Sequence, residues 1–148
     1  MNSAFVATTS ITVNARAALV WNALTDPKLI KEYLFGTEAI SDWKVGSSIK
    51  YKGVWKGKPY EDKGTILELE RNKCLKSTYW SGMSGLEDKP ENYNTVTYLL
   101  VEDDGQTILT VTQDNNRTKE SAEHSQSNWG IVLKGLKDLV EKQDQGIK

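Results

Sequence analysis

The chain has 148 residues, a length that suits one domain with a single hydrophobic core. Nineteen Lys and Arg against 20 Asp and Glu leave a net charge of −1, which gives no electrostatic drive toward nucleic acid or an anionic membrane. One Cys and one His exclude a disulfide framework and the usual His-cluster metal sites, so neither metal nor cofactor is expected.

Residues 4 to 14, AFVATTSITVN, are rich in β-branched residues and predict an opening strand; no basic, apolar leader precedes them and no window reaches a membrane span, so a cytoplasmic protein is expected. RAALVWNALTDP then changes period: Leu19, Val20, Ala23 and Leu24 share a helical face over about 16 to 25. Pro27 suits the first turn of a second short helix, PKLIKEYLF, with Leu29, Ile30, Tyr33 and Leu34 inward. TEAISDWKVG reads as a strand closed by a glycine turn.

SSIKYKGVWKGKPYEDKG alternates clearly, with Ile49, Tyr51, Gly53 and Trp55 on one face and Lys50, Lys52, Val54 and Lys56 on the other. GKP at 57 to 59 is the expected turn; TILELER and KCLKSTYW continue the meander around a turn at 71 to 73. SGMSGLEDKPEN, 81 to 92, is one long irregular segment, the kind of loop that often carries function. NTVTYLLVED and QTILTVTQDN form a hairpin around Asp104 and Gly105.

A helix over about 118 to 142 closes the chain. Within it Trp129, Val132, Leu133, Leu136, Leu139 and Val140 make one apolar stripe opposite Lys134, Lys137, Asp138 and Glu141. With no βαβ alternation the class is α+β, and a sheet of six to seven antiparallel strands must curl around the only element long enough to cover it. Gly130 and Gly135 in that helix suggest close approach to the sheet or to a cavity beneath it.

VWNALTDP at 20 to 27, DWKVG at 42 to 46, GTILELERNKCLKSTYW at 64 to 80, GQTILTVTQDN at 105 to 115 and NWGIVLKGLKDLVE at 128 to 141 carry a family resemblance. In order and spacing they resemble the homologues of the activator of the heat-shock-protein-90 ATPase, within the START-related and birch-pollen-allergen superfamily. The resemblance runs from about residue 8 to 142. It implies a single helix-grip domain over 1–148, a curved antiparallel sheet gripping the C-terminal helix, often around a cavity for an apolar small molecule. The eukaryotic activator carries an additional N-terminal domain that makes much of the chaperone contact, and 148 residues leave no room for one.

On the alternation, the concave face collects Tyr51, Trp55, Leu75, Ser77, Tyr79, Val96, Tyr98, Leu100, Leu109, Val111 and Gln113, with no carboxylate and no imidazole. An aromatic lining with hydroxyl tips suits binding rather than acid–base catalysis. The expected ligand site is Tyr51, Trp55, Tyr79, Tyr98, Gln113, Trp129 and Leu133, holding a small apolar or aromatic molecule in a non-catalytic module. A chaperone-binding domain that uses the sheet surface and the 81 to 92 loop is the alternative; a polyketide-cyclase type of enzyme is the third reading. A monomer or weak homodimer is expected.

His124 reads as a solvated helix residue. Cys74, between Lys73 and Lys76, reads as a packing residue whose pKa those lysines would lower. Lys50, Lys52, Lys56, Lys58 and Lys63 read as a solubilising face, and Gly82 and Gly85 lack the spacing of a phosphate loop.

Overall fold

The computed structural model describes residues 5–34, 36–82 and 85–146; the side chains of Trp55 and of 144–146 lie outside the description. Phe35, Met83 and Ser84 lie outside it too. The elements are β1 (Phe5–Val13), α1 (Ala17–Thr25), α2 (Pro27–Tyr33), β2 (Glu38–Ser41), β3 (Ser48–Trp55), β4 (Lys58–Glu70), β5 (Cys74–Ser81), β6 (Asn94–Asp103), β7 (Gln106–Asn116) and α3 (Lys119–Gly146). The strands form one seven-stranded antiparallel sheet in the order β1-β7-β6-β5-β4-β3-β2. The fold is the expected α+β helix grip.

Local chemistry explains the element ends. The Asp26 carboxylate accepts the Lys28 N–H at 3.0 Å and Pro27 occupies the first position of α2. α1 has no such local cap; instead Glu102 of β6 accepts the Ala17 N–H at 2.7 Å, a negative charge where the helix dipole favours one. Asp104 and Gly105 both take positive φ, as a two-residue hairpin turn requires, and Lys56 and Gly57 do the same between β3 and β4. That second turn lies one residue before the expected GKP, so Lys58 and Pro59 already pair with Trp55 and Val54.

TEAISDWKVG is strand only over Glu38–Ser41. Trp43 has φ 55° and donates its backbone N–H to the Ser41 hydroxyl at 3.0 Å, which breaks the extended run before Gly46. β4 and β5 carry a bulge between Ile66 and Glu68, so the inward phase shifts from Ile66 to Leu69. Of the expected 81 to 92 loop, Ser81 still belongs to β5, Met83 and Ser84 lie outside the described residues, and the 85–92 stretch is irregular apart from a short 3-10 turn, Pro90–Asn92. It is fastened across the outer sheet face: Lys63 pairs with Asp88, the Tyr93 hydroxyl donates to Asp88, and Tyr93 stacks on Trp80 with centroids 6.5 Å apart.

The core lies between the sheet, α1 and the C-terminal half of α3. Val13, Val20, Trp21, Leu100, Leu109, Leu133, Leu136 and Val140 belong to one buried cluster. Gly135 lies 3.6 Å, measured from an added Cβ, from the Tyr33 side chain, so it faces α2 and not the sheet; an added Cβ at Gly130 would meet nothing within 4 Å. The close approach expected at these glycines is therefore absent at Gly130 and directed elsewhere at Gly135.

β1 is an edge strand of nine residues without a charge, a form that invites pairing with another chain. α3 seals it with side chains: Gln126 Oε1 accepts the Thr8 N–H at 3.4 Å, the Lys137 ammonium donates to the Thr12 carbonyl at 3.0 Å, and Glu141 accepts the Asn14 N–H at 2.7 Å. Burial raises the Glu141 pKa, but the Lys137 ammonium and the Asn14 amide outweigh it and hold the carboxyl below its ordinary value. A pKa depressed by folding stabilises the fold at neutral pH, and that contribution is lost as pH falls through the folded-state value. Glu141→Gln is therefore expected to lower the melting temperature at pH 7, and the difference from the parent should close as pH is taken below about 4.

Candidate functional site

A cavity of about 330 Å³ lies between the concave sheet face and the N-terminal half of α3. β3 supplies Tyr51, β5 supplies Ser77 and Tyr79, and β6 supplies Val96 and Tyr98. Gln113 of β7 and Trp129 of α3 complete the expected part of the wall. Of the seven residues expected to form a ligand site, Tyr51, Tyr79, Tyr98, Gln113 and Trp129 are brought together. The Trp55 side chain lies outside the described residues.

Leu133 does not line the space. It is fully buried in the core, and Val132 takes its place on the wall. The apolar stripe of α3 meets two environments along its length: Leu133, Leu136 and Val140 press into packed core, while Trp129 and Val132 roof the cavity.

Trp129 is held from two sides. Its indole N–H donates to Gln113 Oε1 at 2.9 Å, and its ring meets Tyr98 edge-on with centroids 5.7 Å apart at 86°. The Gln113 amide in turn donates to Asn116 at 3.1 Å and to Ser125 at 3.3 Å. Gln113 thus works first as a clamp between β7 and α3.

The expectation of a wall without carboxylate or imidazole is overturned. Asp62 of β4 and His124 of α3 both contribute to the lining. Asp62 Oδ2 accepts the Tyr79 hydroxyl hydrogen at 2.7 Å, while Oδ1 is buried with no hydrogen-bond partner among the described residues. His124 is exposed, as expected of a solvated helix residue, and stands at the rim. Val54, which the alternation groups with the lysines, is 65% exposed and also lies on the rim.

The signal for Asp62 is in the strand phase. Ile66 and Gly64 are buried, and stepping back by two reaches Asp62 and Tyr60, both on the wall. Tyr60 reaches its place by lying over Gly53, its cross-strand partner: a Cβ there would come within 2.5 to 2.9 Å of the tyrosine ring and hydroxyl. The Tyr60 hydroxyl then bonds to that of Thr37, another wall residue.

Three phenols on this wall, Tyr51, Tyr79 and Tyr98, are harder to ionise than an ordinary tyrosine. Burial first, then the Asp62 carboxylate, holds Tyr51 and Tyr79 well above the ordinary tyrosine value; burial, then neighbouring tyrosines, does the same for Tyr98. The wall can therefore offer hydroxyl donors and acceptors, ring faces and one carboxylate. Outside it, burial and the Glu68 carboxylate push the Cys74 thiol up, against the lowering expected from Lys73 and Lys76. Cys74 is a buried packing residue whose thiol donates to Glu68 at 3.7 Å.

Among solved structures, ChR145 from Cytophaga hutchinsonii is 43% identical, with 98% of this chain and 99% of that chain aligned at a TM-score of 0.84. The Aha1 dimer from Colwellia psychrerythraea is 22% identical over 93% of this chain and 97% of that chain, TM-score 0.72. MLL2253 from Mesorhizobium loti is 20% identical over 93% and 98%, TM-score 0.76. The last two likenesses establish the fold. No protein of curated function is matched by the sequence. The sequence profile of the family described as Activator of Hsp90 ATPase homolog 1-like protein matches residues 14–141, from the turn before α1 to the last turns of α3, and the chain belongs to that family.

Proposed function

We propose that the chain is a non-catalytic, protein-binding regulator directed at a chaperone ATPase of the Hsp90 class. The observation that carries this reading is the family match over 14–141, whose description names an activator of another protein's ATPase and not a catalyst. No group of three or more His, Cys, Asp or Glu able to hold a metal occurs among the described residues, and no described helix is long and apolar enough to cross a membrane. The outer sheet face supports docking, since Leu99, Val101 and Ile108 are 45%, 60% and 45% exposed and Val101 pairs directly with Ile108.

The expected result is that the purified chain raises the steady-state ATPase rate of an Hsp90-class chaperone severalfold. The Val101→Lys, Ile108→Lys double variant, which changes exposed positions only, should lose most of that rise while melting near the parent temperature. Absence of both binding and stimulation rejects the reading.

A second reading, binding of a small apolar or aromatic molecule, is favoured by the cavity, whose volume of about 330 Å³ falls in the range of ligand pockets. Native mass spectrometry of protein purified from its host, beside a thermal-shift screen of lipids and aromatics, tests it independently of any chaperone.

A further inference from the structure

The charge of the cavity is one-sided. Its wall holds the Asp62 carboxylate and no lysine or arginine. The neighbouring Lys63 is turned to the opposite face, where it pairs with Asp88 and lies 5.6 Å from the centre of the Trp80 ring. Hydroxyls surround it, from Tyr79 and from its cross-strand partners Tyr51 and Ser81; they can donate to the carboxylate but bring no positive charge. One of them, Tyr79, serves Oδ2; Oδ1 is buried without a partner among the described residues. Asp62 as a whole is half-buried, but a carboxylate oxygen shielded from water without a partner is costly, and a cation close to it would offset that cost.

The rest of the wall suits the same guest. Tyr51, Tyr79, Tyr98 and Trp129 supply aromatic rings around the space, and ring faces attract ammonium groups. An aromatic or fatty acid of equal size would have to bring its negative charge to the same wall, which holds no lysine or arginine to receive it and whose one imidazole, His124, stands exposed at the rim. We propose that this cavity selects an amine, protonated to an ammonium, carried on an apolar or aromatic body, with Asp62 as its counter-charge. The inference rests on the ligand-binding reading of the cavity.

The test is isothermal titration at pH 7 with three probes that share one ring system: 2-(1-naphthyl)ethylamine, 2-(1-naphthyl)ethanol and 1-naphthaleneacetate. The amine should bind at least tenfold more tightly than either of the others. Asp62→Asn should weaken the amine at least tenfold and strengthen the acid, a reversal that a loosened wall would not produce. Tyr79→Phe keeps the carboxylate and should keep the preference of amine over acid; it carries the test should Asp62→Asn fail to fold. Equal binding of all three probes to the parent overturns the charge selectivity and leaves the ligand-binding reading standing. Binding of none of the three overturns both.

Discussion

Gly64→Ala is expected to destabilise the fold by about 3 kcal/mol or more, lowering the melting temperature by about 10 °C in a chain of this size. A Cβ on Gly64 would overlap the Thr78 carbonyl oxygen of β5 and come within 2.5 Å of its carbon. The obstacle is backbone, so no side-chain rotation relieves it and the two strands must separate. Between the Lys63–Trp80 and Ile66–Ser77 pairs the regular pairing lapses, and the Thr65 N–H is satisfied by the Thr78 hydroxyl at 2.8 Å. A glycine at such a point lets neighbouring backbones close in and the sheet bend, and the bulge at Ile66–Glu68 follows directly. Thermal unfolding followed by circular dichroism measures the effect. Gly130→Ala supplies the opposite sign: it sits inside α3 with open space around it, so alanine should stabilise by about 0.5–1 kcal/mol. A neutral Gly64→Ala would mean that β4 and β5 can part there without cost.

The same region shows what was legible in the sequence. Elements with a sustained period or a distinctive turn were readable: the α3 stripe, the Asp104–Gly105 hairpin and the alternation around Tyr51 each follow from local sequence. Asp62 was not, because it lies between Glu61 and Lys63 in a run that reads as solvated charge. Its inward orientation comes from the phase set at Ile66, four residues on, and only if the strand is taken as continuous through Gly64. Thr37 reaches the wall from the segment after α2, whose path no periodicity encodes, whereas Leu34, turned inward by the helical spacing, reaches it from the C-cap of α2. Leu133 fails for a different reason. Helical spacing places it on the same stripe as Trp129, but a stripe says which face is covered and not whether the covering is packed core or open space.

That distinction separates the two residues in free energy, and Leu133→Ala is expected to cost about 2–5 kcal/mol, the usual range for emptying a filled site. Leu133 is fully buried beside Leu136, and alanine is as good a helix former, so no loss of helix propensity confuses the measurement. Trp129→Ala removes a much larger side chain yet should cost less. Trp129 is half-buried, and the space it leaves opens into an existing cavity that water or ligand can enter, rather than becoming a sealed void. What it forfeits is the edge-on contact with Tyr98 and the bond to Gln113, worth about 0.5–1.5 kcal/mol each. Urea unfolding of both variants gives the ranking. Titration of whichever naphthyl probe binds the parent gives the converse: Trp129→Ala should weaken binding severalfold, and Leu133→Ala should leave it near the parent value. Were Trp129→Ala the more destabilising, the indole would be a plug completing the core. The order expected here makes it the roof of a space and Leu133, one turn along the same helix, the point where the solid core begins.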